Sequence, residues 1–255
     1  MVGVDRPYKR TVRQLADGSY ADSGNGRYVT HPGYAENAER YVHAYLLILK
    51  DFISLTDYIS NADLNERTYS YRTHELLVRV CIEVEANFKA ILKENGYKRQ
   101  IQGVRDFHKV DATHKLSDYR VKVPFWDGKK GIRWPFKEFK NADENCISPH
   151  WYRAYNKAKH DRHTAFQAAN FGALVDALAG LSALLAAQFR DEDFSPRDSC
   201  LGISGYSKDN SQEAIGGYFR VIYPDNWPQN ERYKFDWQKL EQNGPEFGMH
   251  SYEKS

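Results

Sequence analysis

The chain has 255 residues, 41% hydrophobic and 27% charged, a size and composition that build a globular core and exclude both a disordered chain and a disulfide-stapled miniature. With 36 basic and 34 acidic side chains the formal net charge is only +2, which excludes a bulk electrostatic claim on nucleic acid; any basic footprint is local. Cys81, Cys146 and Cys200 are widely spaced, odd in number and without a CxxC pair, the usage of a reducing compartment.

Residues 1–34 read as a flexible N-terminal arm in which Arg6, Lys9, Arg10 and Arg13 precede a Gly/Asp/Ser-rich run; its polar start lacks the apolar core of a signal peptide. A helix is predicted over 35–59, because Val42, Tyr45, Leu46, Leu49, Phe52 and Ile53 recur at three- and four-residue steps. A polar connector leads to a second helix over 73–94 with Leu77, Val80, Cys81, Val84, Phe88 and Ile91 on one face and Asn95-Gly96 as its stop. Over 97–147 the helical rhythm breaks. Val121, Val123 and Phe125 alternate, Asp127–Gly131 turns, and Ile132, Trp134 and Phe136 alternate again, the pattern of an inserted β-hairpin. Its Lys and Arg residues, interleaved with Tyr119, Trp126, Trp134 and Phe136, suit either stacking on single-stranded RNA or covering a bundle.

Ser148-Pro149 has the form of a helix start, and a helix is expected to run to about Arg162. Thr164-Ala-Phe-Gln167 has capping-box spacing, so a break near His163 and a further helix over 165–189 follow. The stretch Phe171–Phe189 is long enough to span a membrane; its position inside a globular chain, without basic flanks, reads instead as the central helix of a bundle in a cytoplasmic protein. Residues 191–255 form an irregular C-terminal extension packed on the bundle, in which Leu201–Tyr206 and Gly217–Tyr223 could pair as strands.

The chemistry concentrates in Trp151–Arg162. At about 100° per residue, Arg153, Asn156, Lys157 and His160 share one helical sector, while Trp151, Tyr155, Ala158 and Ala165 face the core. A permanent cation, an amide, an ammonium and a titratable imidazole on one ridge are the parts for phosphate chemistry. Glu85 borders the apolar face of the second helix, where it can meet Arg153 or His160 across the bundle or Lys89 four residues on. Cys146, His150, His160 and His163 have a spacing that matches no zinc-site pattern, so no metal is expected.

Arg153, six intervening residues and His160 fit the R-x(4–6)-H motif of the HEPN superfamily. The longer string Tyr155-Asn156-x-x-Lys159-His160-x-Arg162 resembles the YNxxKHxR variant found in many bacterial HEPN-like proteins, and Trp151 and residues 85–92 are similar to what accompanies it. The resemblance covers residues 35–190, apart from the insertion at 97–147. It implies a mainly α fold, a HEPN-like helical bundle that dimerises so that two motifs meet in one cleft. It further implies a metal-independent, cofactor-free endoribonuclease, of the kind found as toxins and in phage defence, that leaves a 2′,3′-cyclic phosphate. On that reading His160 is the general base or acid, Arg153 stabilises phosphorane charge and Asn156 positions the phosphate or the ring. Lys157, Lys159 and Glu85 are the substrate-binding neighbours, and RNA, a second copy of the chain and an antitoxin or regulatory protein are the partners. Ala154 stands where active members usually carry a polar residue, which keeps a second expectation open: a bundle that binds RNA or a protein partner without cutting.

Overall fold

The computed structural model describes residues 3–20, 25–140, 147–194 and 211–253. The long helices are α1 (Ala38–Thr56), α2 (Tyr71–Glu94), α5 (His150–His160) and α7 (Phe171–Phe189); short helical turns α3 (Val104–Phe107), α4 (Asp111–His114) and α6 (Arg162–Ala165) and a final α8 (Trp237–Asn243) complete the helical part. Strands β1 (Arg120–Lys122), β2 (Ile132–Arg133), β3 (Gln212–Glu213) and β4 (Arg220–Ile222) form one small antiparallel sheet in the order β2-β1-β4-β3. The protein is thus mainly helical, as the periodicity predicts.

The centre is α7. Every one of its residues is buried, because α1, α2 and α5 pack around it and β1 and β4 cover the remaining side. Among the described residues it is the one helix long and apolar enough to cross a membrane, and protein encloses it in full. Its start is fixed by Asn170, whose side chain accepts from the Ala173 amide at 3.0 Å. The expected stripe of α2 is buried as predicted, and Ser70 caps that helix in a reciprocal box with Thr73. On α1 the buried face is Val42, Tyr45, Ile48, Leu49, Phe52 and Leu55; Ile53 lies outside it, exposed to solvent.

Three expectations are corrected. The N-terminal arm is not loose: Arg10 to Leu15 are buried, and the Val12 amide donates to the Ala187 carbonyl of α7 at 2.9 Å. The Arg10 side chain makes this segment part of the core, donating to Glu94 Oε1 at 2.7 Å, Gln188 Oε1 at 3.1 Å and the Glu36 carbonyl at 2.6 Å, with its guanidinium over the Tyr41 ring. Residues 97–147 are not a hairpin alone, since α3 and α4 precede it and stack Phe107 on Phe88 with ring centroids 4.7 Å apart. The alternation of the second hairpin arm does not hold one face inside: Ile132 and Trp134 are exposed while Phe136 is buried, and Arg133 turns inward because Glu66 and Asp176 pair with it there. The strand expected at Leu201–Tyr206 lies outside the described residues; β4, within the expected 217–223 stretch, pairs with β1 as well as β3.

Candidate functional site

Helix α5 is held by its aromatic side. Trp151, Tyr152, Tyr155 and Ala158 are buried, and the Trp151 indole donates to the Pro135 carbonyl at 2.8 Å. Gly180 of α7 permits this seating, since a Cβ there would stand 3.3 Å from the Trp151 ring and 3.4 Å from Phe136. Ser148 does not cap the helix; α5 begins at His150 after Pro149. It ends at His160, earlier than predicted, because Asp161 leaves helical geometry and caps α6 by accepting from the Thr164 amide at 3.2 Å. The Thr164 hydroxyl donates to the same carboxylate, and these bonds hold the Asp161 carboxyl below the usual range. Thr164 is therefore the recipient of a cap and not its provider, and α7 starts at Phe171 instead of 165.

The predicted polar ridge stands where the 100° rotation puts it. Arg153, Lys157 and His160 are exposed and Asn156 is half-buried beside them. Arg153 is not directed at His160, however. Its guanidinium donates to the Ser148 carbonyl, which turns it toward the N-terminal end of α5. The seven-residue spacing separates the two backbones by about 10 Å along the helix axis.

Glu85 meets neither Arg153 nor His160. It accepts from the Tyr152 hydroxyl at 2.9 Å and from Lys89 at 3.3 Å. Burial first, and the Glu85 charge second, keep the Tyr152 phenol protonated well above the ordinary range, so it serves as a fixed donor. Lys159 lies on this same side, its ammonium 5.2 Å from the Tyr155 ring centre. A hydrogen bond with Tyr155, and then the charges of Tyr155 and Glu85, raise its proton affinity. The expected site residues thus divide into an outer stripe, Arg153, Lys157 and His160 with Asn156 at its edge, and a flank toward α2, Glu85 and Lys159. Arg162 and Cys146 lie outside what the structure describes at side-chain level.

Sequence reasoning weighed His150 only as a zinc ligand. The structure pairs it with Asp176 of α7, Nε2 to Oδ2 at 2.8 Å. Asp176 also receives Arg133 Nη1 at 3.3 Å; that atom lies 2.8 Å from Glu66, which further pairs with Lys130. Arg133 stacks 4.1 Å over the Trp126 ring, and Trp126 is itself pinned by donating to Asp63 at 2.7 Å. The sequence signal was available: a single charged residue, Asp176, inside an otherwise uncharged helix demands a partner. Among the described residues no group of His, Cys, Asp and Glu side chains is gathered as a metal site would need.

Two surface hollows, of about 380 Å³ beside Glu36, Tyr41 and Lys89 and about 500 Å³ beside His43, Leu47 and Phe194, are not lined by any residue of α5. The α5 stripe itself is exposed. Comparison with family models, curated proteins and solved structures finds no match to this chain.

Proposed function

We propose that the protein is a metal-independent endoribonuclease of the HEPN type, acting in the cytoplasm as a toxin or in phage defence. In this reading α1, α2, α5 and α7 are the HEPN-like bundle. The observation that carries it is the outer stripe of α5, where Arg153, Lys157 and His160 stand exposed on a helix locked by the buried Trp151, Tyr152 and Tyr155. Such a surface neutralises a phosphodiester and moves a proton without moving itself. An exposed stripe does not exclude water from a reaction, so the reading includes a homodimer in which two stripes face each other across the RNA. RNA's 2′-OH is the nucleophile, and a 2′,3′-cyclic phosphate is the product.

A second reading, a HEPN-like module that binds RNA or a protein partner without cutting, is favoured by one observation: the Arg153 guanidinium is engaged by the Ser148 carbonyl and turned from His160. One experiment separates them. Purified protein is incubated with total cellular RNA and tRNA in EDTA, with His160→Ala alongside, and product ends are mapped. Cutting by the parent alone, with cyclic phosphate ends, supports the ribonuclease. Full cutting by His160→Ala removes the assignment, and no cutting by the parent leaves the binding module. Sedimentation at micromolar concentration is expected to give twice the 29.6 kDa chain mass.

A further inference from the structure

His150, Arg153, Lys157 and His160 follow one another at steps of three, four and three residues, so all four fall on one helical stripe, and all four are exposed. The pattern reads the same in both directions about Tyr155. Its two ends are not equivalent in surroundings. His160 closes the helix, whereas His150 is backed by Asp176, and Asp176 by the buried Arg133. A carboxylate paired with Arg133 only accepts, so the ring must present Nε2–H to it. That fixes the neutral tautomer and leaves the lone pair on Nδ1 at a side chain that is 48% exposed. The hairpin insertion acquires a purpose by this route: β2 carries Arg133, and Trp126, anchored by Asp63, holds the guanidinium in place.

Arg153 belongs to the same end. The Ser148 carbonyl that holds its guanidinium lies just before His150 in the chain, so a phosphate gripped by Arg153 in this position is near His150. His160 of the same chain is about 15 Å away along the axis, too far to serve the opposite side of one phosphate. Two α5 helices crossing antiparallel through their exposed stripes, at the level of residue 155, cancel that distance, because the symmetric spacing then sets His150 of one chain against His160 of the partner subunit. Arg153 and Lys157 make the facing stripes cationic, which suits the cleft between them to a polyanion.

Resting on the ribonuclease reading above, we propose that His150, positioned by Asp176, is a proton-transferring residue of a composite site completed by His160 of the partner subunit. His150 Nδ1 takes the proton of the RNA 2′-OH as the 2′ oxygen bonds to phosphorus. The bond from phosphorus to the 5′ oxygen breaks, and the imidazolium of the partner's His160 gives that oxygen its proton. The proton gained at one histidine and lost at the other balance, and exchange with water resets both. Asp176 touches no substrate; it is a positioning residue.

The test uses full-length dimers, with melting temperature and circular dichroism confirming that each variant is folded. His150→Gln keeps an amide donor for Asp176 and removes the base, so cleavage is expected to fall by about 100-fold or more. Asp176→Asn offers its amide N–H to the ring, reverses the tautomer, and is expected to lower kcat with KM unchanged. His150→Gln and His160→Ala are then co-expressed with different tags. Half of the random dimers carry both variants, and each of these keeps one of its two sites, so the mixture regains about a quarter of the parental rate. Full activity in His150→Gln, with His160→Ala inactive, overturns the inference and leaves the ribonuclease reading standing. A mixture as inactive as its components overturns the two-chain site. A parent that cuts nothing overturns both readings together, which is recognised because the failure lies in the parent.

Discussion

Replacing Arg10 by Ala tests whether the N-terminal segment is structural. The side chain is fully buried; it pairs with Glu94, whose side chain is 14% exposed, and it also feeds the Gln188 side chain and the Glu36 carbonyl. Gln188 in turn donates to Asn87 at 2.9 Å, so the loss propagates into a buried polar chain between α7 and α2. Removing one partner of a buried, hydrogen-bonded ion pair leaves the others desolvated, at a cost of about 3–5 kcal/mol. In a chain of this size that lowers the melting temperature by roughly 6–20 °C. Urea unfolding gives the free energy directly, with Arg10→Lys falling between parent and Ala because it keeps the charge and loses the fork. Arg6→Ala is the control, since its pair with Asp5 is solvent-exposed and worth about 0–1 kcal/mol. A loss below about 1 kcal/mol for Arg10→Ala would refute the docking of this segment.

Trp151→Ala should cost about 3–5 kcal/mol by urea denaturation, and Gly180→Val about 1–3 kcal/mol by driving carbon into Trp151 and Phe136. His114 is buried, bonded through Nε2 to the Arg10 carbonyl at 2.7 Å, and burial depresses its pKa from 6.5 to about 3. The unfolded chain therefore binds a proton below pH 6.5 that the folded chain refuses. The stability present above that pH is lost as pH falls toward 3, by about 2 kcal/mol between pH 6.5 and 5. His250 contributes in the same direction, and His114→Asn should flatten the urea midpoint against pH. Arg153→Glu with Lys157→Glu, measured by filter binding in a His160→Ala background, should weaken RNA binding. It should also reduce the salt slope by roughly 1–2; an unchanged slope places RNA elsewhere.

The stripes of α1 and α2 and the all-round apolar α7 were legible because burial imposes its period directly on the sequence. The ridge of α5 was legible for the same reason, Trp151 and Tyr155 fixing which side Arg153 and His160 must take. What was hidden depends on partners distant in sequence. Arg10 reads as a solubilising charge until Glu94 and Gln188 are placed beside it. Arg133 defeats the alternation of the hairpin because Asp176, forty-three residues on, draws it inward. Asp161 and Thr164 could each have capped a helix from sequence alone; only the backbone at Asp161 decides between them. His150 was obscured by its neighbours, since a histidine near Cys146 and His163 invites a metal pattern before it invites a carboxylate.

The first residues of the chain find their partners almost at its other end. Val4 exchanges backbone hydrogen bonds with Arg232 and Lys234, Gln14 receives the Tyr233 amide, and Pro7 receives that of Gly248. A nascent chain can seat Arg10 and Val12 on α2 and α7 as soon as those helices are in place, while Val4, Pro7 and Gln14 still wait for their backbone partners. A chain interrupted before residue 232 thus keeps α5 on its bundle and loses the clasp that residues 232–248 close on residues 4–14.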